Sequence, residues 1–289
     1  MMRESFKDKV FRGSITVLLV LIAVIAVIPL ISTIAMSFSS STAADMNAVT
    51  LWPVDFTLAS WKRILQDVSL WRSCAITAVS TVLTVFLSVL VTALMAYPLS
   101  KSYFKAGRIL MVFVILTMIF KAPVVPYFLT MKNLGLYNNP LVLVVPHIFS
   151  AFNMAIMRTS FKEFPGEIEE AAVIDGCGTA QVLFRIIFPS SKATLTTIGL
   201  FYGITAWNQF QHPLMFIMDA DWYPLQMKIR QMINSGAEVM LTVLKVKNDY
   251  NETTLSAATM IFAILPVIAV YPWLQKYFAK GAMLGSVKG

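Results

Sequence analysis

The sequence predicts an all-α integral membrane protein with six transmembrane helices. Three observations carry that prediction. Of 289 residues, 57% are hydrophobic and only 13% charged, where soluble domains run at roughly 45–50% and about 25%. The apolar residues gather in runs long enough to cross a bilayer. Lysine and arginine crowd the connections on alternate sides of those runs. The mean hydropathy of +0.72 fits a chain whose main solvent is lipid.

A helix needs about 20 apolar residues to span roughly 30 Å of hydrocarbon. Six runs qualify or come close, and together they make residues 1–289 a single transmembrane domain. The first, 15–36, exceeds the roughly 7–15 residues of a signal-peptide core, so it is expected to stay as a span. The second is 74–96. The third, 109–131, contains Lys121; the fourth, 141–157, is short and holds His147. The fifth, 194–218, is polar in its middle, and the sixth is 255–274. Pro29, Pro123, Pro126, Pro146, Pro213, Pro266 and Pro272 punctuate these runs. Membrane helices tolerate proline where neighbours re-satisfy the freed carbonyls, so kinks are expected there rather than helix ends.

An even number of spans puts both termini on one side, and the positive-inside rule chooses the side. Arg3, Lys7, Lys9 and Arg12 precede span one. Lys101, Lys105 and Arg108 follow span two, and Arg158, Lys162, Arg185 and Lys192 follow span four. Lys276, Lys280 and Lys288 follow span six. The opposite face carries fewer: Lys62, Arg63, Arg72, Lys132, Lys228, Arg230, Lys245 and Lys247. Both termini are therefore expected in the cytoplasm of a multi-pass protein. The net charge of +8 reads as topology and not as affinity for nucleic acid. Cys74 and Cys177 stand in unlike contexts without a C-x-x-C partner, which implies neither a metal site nor a disulfide framework.

The connection 158–193 is much longer than joining two helices requires, and it is patterned. Pro165-Gly166 breaks the chain, and a helix is predicted over 167–174 with acids in its first turn, where they suit the helix dipole. Gly176 fits the left-handed position that ends such a helix. A second short helix follows, with Val182, Leu183, Ile186 and Ile187 as its apolar side, extended by Phe184 and Phe188; Pro189 is expected to stop it. The result is a compact cytoplasmic knob.

Glu170-Ala171-Ala172, then three residues and Gly176, then nine residues and Ile186, then one residue, Phe188 and Pro189, resemble the EAA signature of bacterial ABC-importer permeases. The spacing is kept throughout. Phe188 stands where the family has leucine, and Ala193 replaces a further proline. Asp175-Gly176 and Phe184 resemble the carbohydrate branch, and the ending from Gly281 to Gly289 is similar to the tail of a maltose-type subunit. The resemblance implies the type I importer permease (MetI-like) fold. It implies a permease subunit of a binding-protein-dependent importer in the bacterial inner membrane, moving sugars, especially oligosaccharides, by alternating access. It also implies partners: a second permease, two ATPase subunits and an extracytoplasmic solute-binding protein. In this family the loop docks as a coupling helix in a cleft of an ATPase subunit. Carried over, Glu167, Glu170, Ala171, Ala172, Asp175, Gly176, Phe184 and Pro189 would make that contact. Small alanines would admit a partner's surface, and Glu170 would offer a carboxylate for a charge-assisted pair.

Polar groups inside a membrane are costly and point to function. Span five carries Trp207, Asn208, Gln209, Gln211 and His212. Aromatic rings beside amides suit a sugar, whose ring face stacks while its hydroxyls hydrogen-bond; the same residues also suit helix packing near Pro213. Small Gly203 and Ala206 would let a neighbouring helix approach. Trp207, Asn208, Gln211, Lys121 and Asn153 are the candidate substrate-pathway residues. Lys121 has several readings: lining the path, pairing with a partner's acid, attracting an anionic sugar such as a uronate, or snorkelling to an interface. His147 and His212 are too scattered for a metal site. Trp52, Trp61 and Trp71 between spans one and two suit an interface belt. That segment, with 219–254, also suits reception of a binding protein.

No G-x-x-x-x-G-K-[ST] occurs in the chain, and no nucleophile–base set stands out. The chain is expected to bind no cofactor and catalyse no reaction, with ATP and magnesium at the partner ATPases. An ion-coupled secondary transporter is the rival from another class. It is disfavoured because no acid lies inside any of the six runs. Within the importer resemblance, peptides or amino acids remain the alternative cargo.

Overall fold

The computed structural model describes residues 6–239 and 249–286. Arg3, Lys245, Lys247, Lys288 and the end of the tail lie outside those residues. Among the described residues every regular element is helical. In chain order they are α1 (Phe6–Ser37), α2 (Ser41–Asp45), α3 (Ala59–Leu65), α4 (Val68–Ser100), α5 (Gly107–Ile119) and α6 (Val124–Asn133). Two 3-10 turns, Pro140–Leu143 and Val145–His147, lead into α7 (Ala151–Lys162). Next come α8 (Gly166–Ile174), α9 (Thr179–Gln181), a π turn over Val182–Ile187, α10 (Phe188–Ser190), α11 (Lys192–Trp207) and α12 (Gln211–Phe216). A 3-10 turn at Ala220–Trp222 precedes α13 (Leu225–Val239) and α14 (Glu252–Ser286).

Among the described residues, three helices are long and apolar enough to cross a membrane: Phe11–Ser37, Val68–Ser100 and Glu252–Val270. The other predicted spans are broken. The run 109–131 ends as a helix at Ile119 and resumes at Val124, turned by 115°. The segments Pro140–His147 and Ala151–Lys162 meet at 45°. The run 194–218 stops at Trp207 and resumes at Gln211. The expected kinks are therefore helix ends at three places, with a physical cause. Proline disfavours helical geometry in the residue before it but is tolerated in a first turn, where its missing N–H has no partner to lose. Pro123 caps α6, Pro126 lies in its first turn, and Pro213 lies in the first turn of α12. Pro29, by contrast, sits inside an unbroken α1.

The chain divides into two compact units. In the first, residues 1–71 with 229–266, Ala35, Ala43 and Val49 form a small core. Asn251 donates to Asp45 Oδ1 at 2.6 Å and to the Ser41 carbonyl at 3.2 Å, and Ser60 bonds Thr254 at 3.0 Å. Trp61 stacks on Phe38, which stacks on Phe56. The most apolar window of α1 is unburied, whereas Ala35 and Ser37 at its end are buried.

In the second unit, residues 72–228 with 267–289, α4 presents a buried stripe of Ser73, Thr77, Ser80, Thr84, Ser88 and Thr92. Spacings of three and four place them on one helix face. Small hydroxyl side chains admit close neighbours and bond them. Ser88 donates to the His147 carbonyl at 3.0 Å, Thr92 shares a 2.8 Å bond with the Tyr202 hydroxyl, and Thr77 accepts the Leu225 N–H at 2.8 Å. From α11, Gly203 comes so close to Val85 of α4 that a Cβ would sit 3.4 Å from it. The buried Ala206 fits the same close approach.

Candidate functional site

The knob is built on the end of α4. Ala93, Ala96, Tyr97 and Leu99 of α4 share one core with Met154, Met157 and Phe161 of α7 and with Ala172, Val182, Leu183 and Ile187 of the loop. Arg158 of α7 donates from Nε to the Leu99 carbonyl at 2.7 Å, which satisfies an orphan acceptor of the helix terminus. Lys101, just past α4, is paired with Glu169 of α8 and lies over the Tyr97 ring at 4.8 Å.

The corner after α8 is a Schellman closure. The Cys177 N–H bonds the Ala172 carbonyl at 2.9 Å, the Gly176 N–H bonds the Val173 carbonyl at 3.0 Å, and Gly176 has φ +82°. Beyond it, Val182, Leu183 and Ile187 are buried, and the helical run ends at Ser190, one residue past Pro189. A π turn over Val182–Ile187 precedes the proline.

The candidate docking residues divide. Glu167, Glu170, Ala171, Asp175, Gly176, Phe184 and Pro189 are exposed. Ala172 is not: it is 7% exposed and packs on the α4 core. Its small size lets α8 lie close to its own scaffold. The sequence also missed the apolar part of the exposed face. Ile168, Val173 and Ile174 stand out from α8 at 47%, 61% and 85% exposure. Apolar patches on polar connecting segments mark interaction sites.

The substrate-pathway candidates are spread over several places. Lys121 is exposed in the link between α5 and α6 and makes no ion pair among the described residues. Trp207 ends α11 with its Nε1 buried and unpartnered. Asn208 folds back onto the Ile204 carbonyl at 2.9 Å, and Gln211 is exposed at the start of α12. Gln209, between them, is buried and donates to the Leu143 carbonyl at 3.1 Å, tying the broken fifth segment to the broken fourth. His147 and His212 also meet there, ring centroids 4.6 Å apart, and Tyr127 bonds His212 at 2.8 Å. Asn153 lies on a cavity of about 370 Å³ that the same His147 lines, with Ser150, Phe152, Phe201 and Thr205.

Residues 90–283, which hold α7 to α12 and the knob, match the model of the binding-protein-dependent transport system inner membrane component. The chain belongs to this family. Among curated relatives of this permease is the polygalacturonan/rhamnogalacturonan transport system permease protein YtcP of Bacillus subtilis, 34% identical over 98% of this chain and 100% of the relative. Protein LplC of the same organism is 36% identical over 89% and 87%. The arabinooligosaccharides transport system permease protein AraQ of Halalkalibacterium halodurans is 29% identical over 90% of each. Among solved structures, a chain of a bacterial ABC transporter involved in the import of the acidic polysaccharide alginate superposes with a TM-score of 0.86. That chain is 33% identical, over 96% of this permease and 100% of itself. The permease is thus an inner-membrane component of an ABC transporter, and other subunits complete it.

Proposed function

We propose that this chain is one membrane-spanning subunit of an ATP-driven, binding-protein-dependent importer of oligosaccharides. The observation that carries the proposal is the spaced loop from Glu170 to Pro189, folded as an exposed knob with Ile174 at 85% exposure in a chain matched over 98% of its length by a polygalacturonan/rhamnogalacturonan permease. Relatives named for arabinooligosaccharides and for melibiose, raffinose and stachyose support a saccharide cargo over a peptide or amino acid.

The chain forms one transmembrane domain with both termini in the cytoplasm. Two ATPase subunits, which hold ATP and magnesium, a second permease and an extracytoplasmic binding protein complete the assembly. Closing of the ATPase pair moves the knob. The Lys101–Glu169 pair, the Arg158–Leu99 contact and the shared core carry that displacement into α4 and α7. The broken segments offer ready hinges for reorienting a central cavity. This chain supplies the moving walls, and no bond is made or broken on it.

The test is uptake by proteoliposomes holding the purified assembly and the solute-binding protein. Uptake that requires internal ATP, and that an imposed proton or sodium gradient does not support, is the expected result. Gradient-driven uptake by this chain alone would reject the proposal.

A further inference from the structure

We infer that the groove along α3 binds an anionic phospholipid, with an acyl chain in the groove and the phosphate at Lys62. The site does not depend on the cargo; only its leaflet, the outer one, rests on the topology proposed above.

The groove has a volume of about 690 Å³ and is lined by Phe38, Leu58, Trp61, Lys62, Leu65 and Gln66. That size falls inside the range of roughly 300–1,000 Å³ for small-molecule sites. The five residues from Leu58 to Gln66 recur at spacings of three and four, which puts them on one helix face. The other face of α3 is already used: Ser60 and Ile64 are fully buried, and Ser60 bonds Thr254 at 3.0 Å. The short helix thus carries apolar residues on two faces, and the second stays open, with Leu58 at 55% and Leu65 at 49% exposure. The wall opposite is held in place. Phe38 stacks on Phe56 and on Trp61, with ring centroids 5.7 and 5.5 Å apart, and Trp61 Nε1 donates to Ser37 Oγ at 3.3 Å.

Position and charge say what fills the groove. Phe38 is the first residue after α1, a helix long and apolar enough to cross a membrane. The groove therefore begins where that span leaves the hydrocarbon, a depth that suits tryptophan. Leu30, Ile31 and Ile34 in the preceding turns of α1 are exposed as well. Lys62 and Arg63 are exposed and make no ion pair among the described residues. A lysine stem can lie along apolar surface while its ammonium reaches the headgroup layer, where a phosphate offers a charge-assisted pair. No acid lines the groove to oppose a phosphate. A sugar would find one amide, Gln66, among apolar walls. A protein partner fits less well, because lysine is depleted in protein interfaces.

The test uses the whole transporter in phosphatidylcholine vesicles that carry a trace of phosphatidylglycerol or phosphatidylcholine with a diazirine in its acyl chain. On illumination the phosphatidylglycerol probe should label residues 58–66 more than the phosphatidylcholine probe does, and excess unlabelled phosphatidylglycerol should displace it. Lys62→Gln should lower that labelling about fivefold, the scale of one basic residue near an anionic membrane surface, and Lys62→Arg should keep it. Leu65→Asp should remove labelling by both probes. Both positions are exposed, so each variant should be recovered with unchanged subunit composition. Equal labelling by the two probes, or undiminished labelling of Lys62→Gln, overturns the inference. So does cross-linking to another protein subunit in place of lipid when a benzophenone-bearing phenylalanine replaces Leu65. None of these outcomes touches the transport function.

Discussion

Lys101, the residue after the last turn of α4, is ion-paired with Glu169 in the middle of α8, and their side chains are only 11% and 15% exposed. The pair joins the membrane-crossing helix to the knob across 68 positions of sequence. Removing one member leaves a charge with neither water nor partner, a change that costs on the order of 3 kcal/mol when burial is complete. Glu169→Gln and Lys101→Met should each lower the thermal stability of the purified complex and the fraction of ATP hydrolysis coupled to uptake. The double variant should lose less than the sum of the two. Additive losses in that cycle would show that the residues do not act as a pair.

Gly176 holds φ +82° and closes α8 through its N–H. An L-residue in the left-handed region costs about 1–2 kcal/mol, so Gly176→Ala should be mildly destabilising. Gly176→Pro fixes φ near −65° and deletes the N–H, so it should prevent assembly or uncouple hydrolysis from transport. Thermal unfolding of the detergent-solubilised complex, read beside coupled uptake, checks both.

The Tyr202 hydroxyl sits between two groups, 2.8 Å from Thr92 of α4 and 3.0 Å from the Ser150 N–H that starts α7. Tyr202→Phe keeps the ring and strands both partners, at a cost of about 1–3 kcal/mol for each buried group left unsatisfied. A lower melting temperature with unchanged subunit composition is the expected outcome. An unchanged melting temperature would mean that the bridge carries no stability.

Lys121 stands in the α5–α6 link with no ion pair among the described residues. Thirteen residues of α5 precede it at 1.5 Å each, about 20 Å of helix. Lys121→Met should slow uptake of an acidic trisaccharide more than of a neutral one. Equal effects on both would assign the lysine to a partner's acid or to an interface.

What the sequence made legible was chemistry that depends on near neighbours. Gly176 was readable because a left-handed corner after a helix calls for glycine, and Val182, Leu183 and Ile187 because their spacing marks one helix face. Bends were not readable. The run 109–131 has the hydropathy of one straight span, and nothing in its composition separates a kink at Pro123 from the 115° turn found there. Long-range partners were equally hidden. Glu169 looked like one acid among three until the fold brought Lys101 to it. Ala171 and Ala172 are interchangeable in sequence, yet helical phase turns one to solvent and the other onto α4. The hydroxyl stripe of α4 was visible at its helical spacing, but it reads as ordinary span composition until Tyr202, His147 and Leu225 arrive against it.

The most direct measurement is recovery of the ATPase subunits on a tagged form of this chain, comparing wild type with Glu170→Lys and Ile174→Asp. Both residues are exposed and outside the chain's own core, so the variants should fold and pair with the second permease as before. Wild type should bring down a P-loop ATPase that each variant loses, with ATP-driven uptake falling in step. Full ATPase recovery and wild-type uptake in both variants would contradict it.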